Sequence, residues 1–148
     1  SLKPQLKNSS HQVEVTGEDF SIDSYPGAYS QIITNLVMNS LQHAFADVKN
    51  GQIKIDIQQQ GDTIRLNYTD NGAGMSQRQL RRIFDPFFTT KSPEGTGLGM
   101  SITYGIIARH GGMINIESKL GNGSTITISL PTTVKATKSA IRTRGRVY

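Results

Sequence analysis

Thr63-Ile64-Arg65-Leu66-Asn67-Tyr68-Thr69-Asp70-Asn71-Gly72-Ala73-Gly74 is the stretch on which the fold turns. Ile64, Leu66 and Tyr68 alternate with polar residues, the period of a strand with one buried face. Asp70 closes that strand, and the glycines after it mark a turn. Upstream, Gln52 to Gln58 alternates Ile53, Ile55 and Ile57, and Gly61-Asp62 joins the two runs as an antiparallel pair. Further upstream, His11 to Val15 and Phe20 to Ser24 predict a small hairpin. Pro26 follows in the first turn of a helix, where its missing N–H costs little, and that helix extends to Phe45. Ile33, Val37, Leu41 and Ala44, flanked by Leu36, form its expected apolar stripe.

Downstream, Ser76-Gln77-Arg78-Gln79 is a capping box that starts a short helix ending near Ile83. Pro86 prevents its continuation, and Phe88 to Glu94 is expected as a loop. Leu98 to His110 reads as a second long helix, with Ile102, Ile106 and Ile107 inward and Gly111-Gly112 at its C-cap. Met113 to Ser118 and Ser124 to Leu130 flank Gly121-Asn122-Gly123 as a last hairpin, closed by Pro131. The expected architecture is α/β: a two-layer sandwich of a mixed, mostly antiparallel sheet with about three helices on one face.

The 148 residues fit one domain with a single core. No cysteine is present, which excludes disulfides, thiolate zinc sites and a cysteine nucleophile, and suits a cytoplasmic location. No apolar run reaches the ~18 residues of a membrane span, and the start has no apolar signal-peptide stretch. The net charge of +5 suggests nucleic acid until its distribution is read. Lys135, Lys138, Arg142, Arg144 and Arg146 all fall in residues 132–148; without them the basic residues equal the 11 acidic ones. The body is therefore neutral, and no nucleic-acid partner is expected. Residues 1–10 are expected as a linker from an upstream domain, 11–131 as the folded domain, and 132–148 as a basic tail without regular structure.

Three polar features remain. Gln31, Asn35, Asn39 and His43 recur every four residues and share one helix face. A solvated face usually carries Lys and Glu; this one carries Asn, a poor mid-helix residue, and no charge lies between Asp23 and Asp47. Such a face suits a pocket wall, and an Asn carbonyl suits Mg²⁺. Asp70 at a strand end can accept from the exocyclic amine of adenine, and Gly72 and Gly74 let the backbone approach a flat ring. Gly95-Thr96-Gly97-Leu98-Gly99 runs into a helix, so its N–H groups can meet phosphate oxygens. It is neither a dinucleotide fingerprint nor a Walker loop. Lys91, just upstream, is the natural cation for a terminal phosphate, and Phe84, Phe87 and Phe88 read as an apolar hinge. Together these segments describe a pocket for ATP.

The set resembles the ATP-binding domain of sensor histidine kinases, in the GHKL superfamily shared with gyrase-type, heat-shock chaperone and mismatch-repair ATPases. The Asn stripe is similar to the N box, Asp70 to Gly74 to the first glycine box, Phe84 to Phe88 to the F box, and Gly95 to Gly99 to the second glycine box. The resemblance covers residues 11–131 and implies a Bergerat-type sandwich. It implies that Asn39 holds Mg²⁺, with Asn35 on the phosphate side. Asp70 would hold the adenine amine with Thr125 in support through water, and Gly97 and Gly99 the phosphates beneath a lid of residues 86–98. Two positions depart from the pattern. Gln42 stands where many members carry Lys, and Thr89 where many carry Arg, so Lys91 and His43 must supply more of the positive charge. The implied catalytic residues are Asn39, Lys91 and His43.

Family kinases phosphorylate a histidine followed by an acid. His11 precedes Gln12, His43 precedes Ala44 and His110 precedes Gly111, so none fits. The expected function is donation of the γ-phosphoryl group of Mg-ATP to a histidine on a separate dimerisation domain, with a response regulator downstream. The full-length protein would be a homodimer, cytoplasmic or the cytoplasmic part of a membrane-anchored sensor. One alternative is a nucleotide-sensing module without transfer, which Gln42 and Thr89 favour. The other is a gyrase-type ATPase, which needs a catalytic Glu where Asn35 stands.

Overall fold

The computed structural model describes residues 10–17, 26–85, 99–132 and 145–147. Six strands form one sheet: β1 (Gln12–Gly17), β2 (Gln52–Gln60), β3 (Thr63–Asp70), β4 (Met113–Ser118), β5 (Ser124–Pro131) and β6 (Gly145–Val147), in the order β1-β2-β3-β5-β4-β6. The three central pairings are antiparallel. Both edge strands, β1 on β2 and β6 on β4, run parallel to their neighbours. The helices are α1 (Pro26–Asn39), α2 (Gln77–Arg82) and α3 (Gly99–Arg109). A turn of π-helix, Ser40–Ala44, continues α1 to Phe45. Among the described residues no helix is long and apolar enough to cross a membrane.

Strand alternation builds the core. Ile53 and Ile55, Ile64, Leu66 and Tyr68, Ile114 and Ile116, and Ile126, Ile128 and Leu130 are all buried on one face of the sheet. Tyr29, Ile32, Leu36 and Val37 of α1 and Met100, Ile106 and Ile107 of α3 are buried with them. Each fully buried aliphatic side chain contributes about 1.5–3 kcal/mol relative to exposure. The opposite face carries the polar half of each strand, including Thr69, Thr125 and Glu117 in one cross-strand row.

Several expectations shift. β1 is not seen as half of a hairpin: it pairs with β2, whose outer edge is otherwise open, and Phe20–Ser24 lies outside the described residues. Of the expected stripe, Val37 and Leu36 are buried, while Ile33, Leu41 and Ala44 are only half-buried; Tyr29 and Ile32 of α1 and Ser40 of the π turn take the other buried places. Helix α1 packs on the sheet and on α3 at once, and this widens its buried face. Ile102 was expected inward on α3 but is 44% exposed; Thr103 takes the buried place at 0%. The basic tail contributes β6, because β4 leaves an edge to be paired. The capping box is present as read: Ser76 Oγ accepts from Gln79 N, and Gln79 Oε1 accepts from Ser76 N.

Candidate functional site

Asp70 ends β3 with its side chain turned into the protein and 6% exposed. Two fixed groups donate to its carboxylate. Gly72 N–H reaches Oδ1 at 3.0 Å and Ser40 Oγ reaches Oδ2 at 2.9 Å. Burial raises the Asp70 pKa above the ordinary value of 3.8, and the neighbouring Gly72, Ser40 and Ser124 groups oppose that rise. An ionised carboxylate has about four acceptor positions, so these two donors leave room for an amine hydrogen.

The turn after Asp70 is braced on both sides. Asn71 Oδ1 accepts from Gln52 N at 2.6 Å, and Gly121 N donates to Ala73 O at 2.7 Å. Ala73 N donates to Ala44 O at 2.9 Å, tying the turn to the π-helical segment. A Cβ on Gly72 would lie 2.5 Å from Ala44 Cβ. Gly74 has φ +73°, and a Cβ there would strike Lys119 O. These glycines therefore serve close backbone packing against Ala44 and Lys119, a reason that spacing alone did not reveal.

The polar stripe divides. Asn35 reaches across to α3: its Nδ2 donates to Gly99 O at 3.2 Å and to Thr103 Oγ1 at 3.1 Å. Its Oδ1 accepts from Gln31 Nε2 at 2.8 Å. Asn35 thus pins the first turn of α3 to α1. Asn39 is half-buried at the junction of α1 and the π turn, and its side chain makes no capping hydrogen bond. Ser40, the next residue, is buried and bonded to Asp70. His43 lies within the π turn, whose wider spacing carries it off the straight i, i+4 line. π turns inside α-helices cluster at functional sites.

Gly99 opens α3, and a Cβ built there meets nothing within 4 Å. No packing among the described residues requires that position to be bare. A ligand held against the N-terminus of an 11-residue helix would use the space. Lys91, Gly95, Thr96, Gly97 and Leu98, with the expected lid and Phe87 and Phe88, lie outside the described residues. Phe84 is half-buried and packs on Tyr104 with ring centroids 4.7 Å apart.

Thr125 sits elsewhere than expected. Asp70 pairs directly with Ser124, while Thr125 pairs with Thr69 and Glu117 on the exposed face. Opposed residues in an antiparallel ladder share a face. The place beside Asp70 therefore belongs to Ser124, whose Oγ is 2.7 Å from Ser118 Oγ.

The family described as "Histidine kinase-, DNA gyrase B-, and HSP90-like ATPase" matches residues 25–134. This chain belongs to that family. Sensor histidine kinase ZraS of Escherichia coli (strain K12) is 37% identical over 125 residues, which span 83% of this chain and 26% of that protein. Sporulation kinase B of Bacillus subtilis (strain 168) is 41% identical over 101 residues, 68% of this chain and 23% of that one. The chain spans about a quarter of the length of these relatives. The nucleotide-free catalytic domain of histidine kinase ThkA superposes with a TM-score of 0.73 at 28% identity, over 88% of this chain and 85% of that one. The sandwich is that of the ATP-binding catalytic domains of two-component kinases.

Sequence reasoning missed Ser40, Tyr68 and Ser124. Ser40 continues the Tyr29, Ile32, Leu36 series, and a serine at a core position signals a partner. Tyr68 reads as an ordinary core aromatic, yet its buried hydroxyl must also be bonded. It donates to Leu36 O at 2.9 Å and contacts Ser40 Oγ. Burial, with the nearby Asp70 charge, pushes the Tyr68 phenol far above its ordinary 10.0, the Ser40 contact opposing.

Proposed function

We propose that this chain is the ATP-binding catalytic part of a sensor histidine kinase. It presents the γ-phosphoryl group of Mg-ATP to a histidine on a dimerisation domain outside this chain. The observation that carries the reading is the buried Asp70 carboxylate, held by Gly72 and Ser40 with acceptor capacity to spare, in a chain whose relatives are sensor histidine kinases. Asp70 accepts from the adenine amine and so orients the base. The N-terminal N–H groups of α3 face the phosphates, and Asn35 holds that helix end in place rather than touching phosphate. Lys91 and His43 supply positive charge beside the terminal phosphate, where Gln42 and Thr89 bring none.

The Asn39 side-chain oxygen fits a divalent ion that keeps most of its water. Such a site needs no carboxylate cluster, and among the described residues there is none. Mg²⁺ bound there would neutralise charge on the phosphates. Phosphoryl transfer asks mainly for positioning and charge compensation, and these residues provide both for the donor. The acceptor would be supplied by the partner domain, together with a base for its proton. A response regulator, a homodimer and a cytoplasmic position belong to the same reading.

Calorimetry of ATP binding tests it. Asp70→Asn should lose nearly all affinity, because the amide turns a donor toward the amine. Unchanged affinity removes the base assignment. The second reading, a nucleotide-sensing module without transfer, rests on Gln42 and Thr89. It predicts ATP binding without labelling of a histidine on an added dimerisation domain.

A further inference from the structure

The surface strip beyond the Asp70 turn carries a charge pattern that neither the core nor the nucleotide site uses. Helix α2 presents Arg78, Arg81 and Arg82 to solvent, while Leu80 between them is buried. Residues three and four apart share one helix face, so the three arginines lie together. A solvated helix is usually laced with acids at that spacing. Here residues 71–84 hold no acid, and Asp85 is engaged by Arg82 at 3.5 Å. Among the described residues Arg78 and Arg81 make no ion pair. Arg78 also stands two positions after the Ser76 cap, in the first turn, where the helix end favours an acid. Local stability does not account for an arginine there.

The β4–β5 turn extends the strip. Gly121 N donates to Ala73 O at 2.7 Å and Met75 N to Ser118 Oγ at 2.8 Å, and Gly74 packs against Lys119 O. These contacts fix Lys119 and Leu120 beside the residues that lead into α2. Lys119 is exposed, and Leu120 is 66% exposed on a turn whose backbone is already pinned. Residues 118–132 add no acid. The strip is an apolar point edged by cations, ordered before any partner arrives. We propose that α2 and the β4–β5 turn form a docking surface for an acidic helix of another protein. Carboxylates three or four positions apart on that helix meet Arg78 and Arg81, and an apolar residue covers Leu120. The helical period is the same on both sides, and each planar guanidinium takes a carboxylate on two parallel bonds. Arginine in place of lysine favours such paired carboxylates over an anionic membrane, which does not need the fork. None of the three helices of this chain carries an acid, so a second copy does not supply the partner. The surface is independent of the base assignment at Asp70.

The test is fluorescence anisotropy of a labelled alanine-based helical peptide, titrated with the whole chain. The peptide carries glutamates four positions apart on either side of a leucine; its glutamine counterpart is the control. The glutamate peptide should bind, and more weakly as salt rises, while the glutamine peptide should not bind. Arg78→Glu and Arg81→Glu should each weaken binding by about tenfold or more, the scale of a lost charge-assisted bond. Leu120→Ser should weaken it by about tenfold. Lys54→Glu, on the exposed face of the sheet, should leave it unchanged. Arg78→Glu should melt no lower than the parent, because an acid suits that helix end. A lower melting point would make Arg78 structural and overturn the docking role. Binding that survives both arginine reversals belongs to the basic residues of 132–148 and overturns it too. So does equal binding of the two peptides, or none. If phosphatidylserine vesicles or duplex DNA bind with a loss in Arg78→Glu while the glutamate peptide does not bind, the partner class is wrong.

Discussion

At the scale of single residues, Asp70 makes the sharpest demand, because stability and binding ask opposite things of it. Its folded pKa is raised by burial, so between 3.8 and that raised value the folded state holds more protons than the unfolded one. Its own contribution to stability therefore falls as pH rises through that window. Binding of the adenine amine needs the ionised form and should weaken as pH falls through the same window. Melting over pH, referenced to Asp70→Asn, and ATP titration of the parent over the same range should show these opposite slopes. Parallel slopes would mean that Asp70 does not contact the base. Asp70→Asn should melt no lower than the parent at pH 7, since it removes a desolvated charge. For Asn39, Asn39→Ala should weaken Mg²⁺-dependent ATP binding more than metal-free ADP binding. Equal losses would reduce Asn39 to a structural residue. The burial of Asp70 was legible because a carboxylate that closes an alternating strand on its apolar face is out of place in ordinary surface chemistry. Ser124 was not: choosing it over Thr125 needs the cross-strand register, which a single strand does not contain.

At the scale of elements, the contacts between helices and loops decide the site. Gly72→Ala would drive a methyl into Ala44, with 2.6 Å to its carbonyl oxygen. Overpacking of this kind costs about 1–3 kcal/mol, and urea denaturation should show it. Asn35→Ala removes two bonds to the first turn of α3. It should cost about 1–2 kcal/mol and lower nucleotide affinity with little effect on Asp70 titration. The β2–β3 and β4–β5 hairpins, the α2 capping box and the end of α3 were legible because period and end signals are local. The π turn was not: an i→i+5 bond such as Phe45 N to Ser40 O has no compositional mark. The parallel pairing of β1 was hidden for a related reason. It joins residues about forty positions apart in sequence, beyond any turn signal.

At the scale of the whole molecule, the proposed function makes this chain the donor half of a phosphoryl transfer. Labelled ATP should bind, yet no acid-labile label should remain on this chain alone. Adding a cognate dimerisation domain should place the label on that domain's histidine, and its absence would favour the sensing module. The sheet has a further consequence. The first and last described strands occupy its two outer edges, separated by its full width of roughly 24 Å at ordinary inter-strand spacing. A neighbouring module tethered ahead of β1 and a tag fused beyond β6 would therefore depart from opposite flanks. Neither should crowd the other, and a fluorophore on each would act as a ruler across the sandwich, blind to shifts within the helical layer.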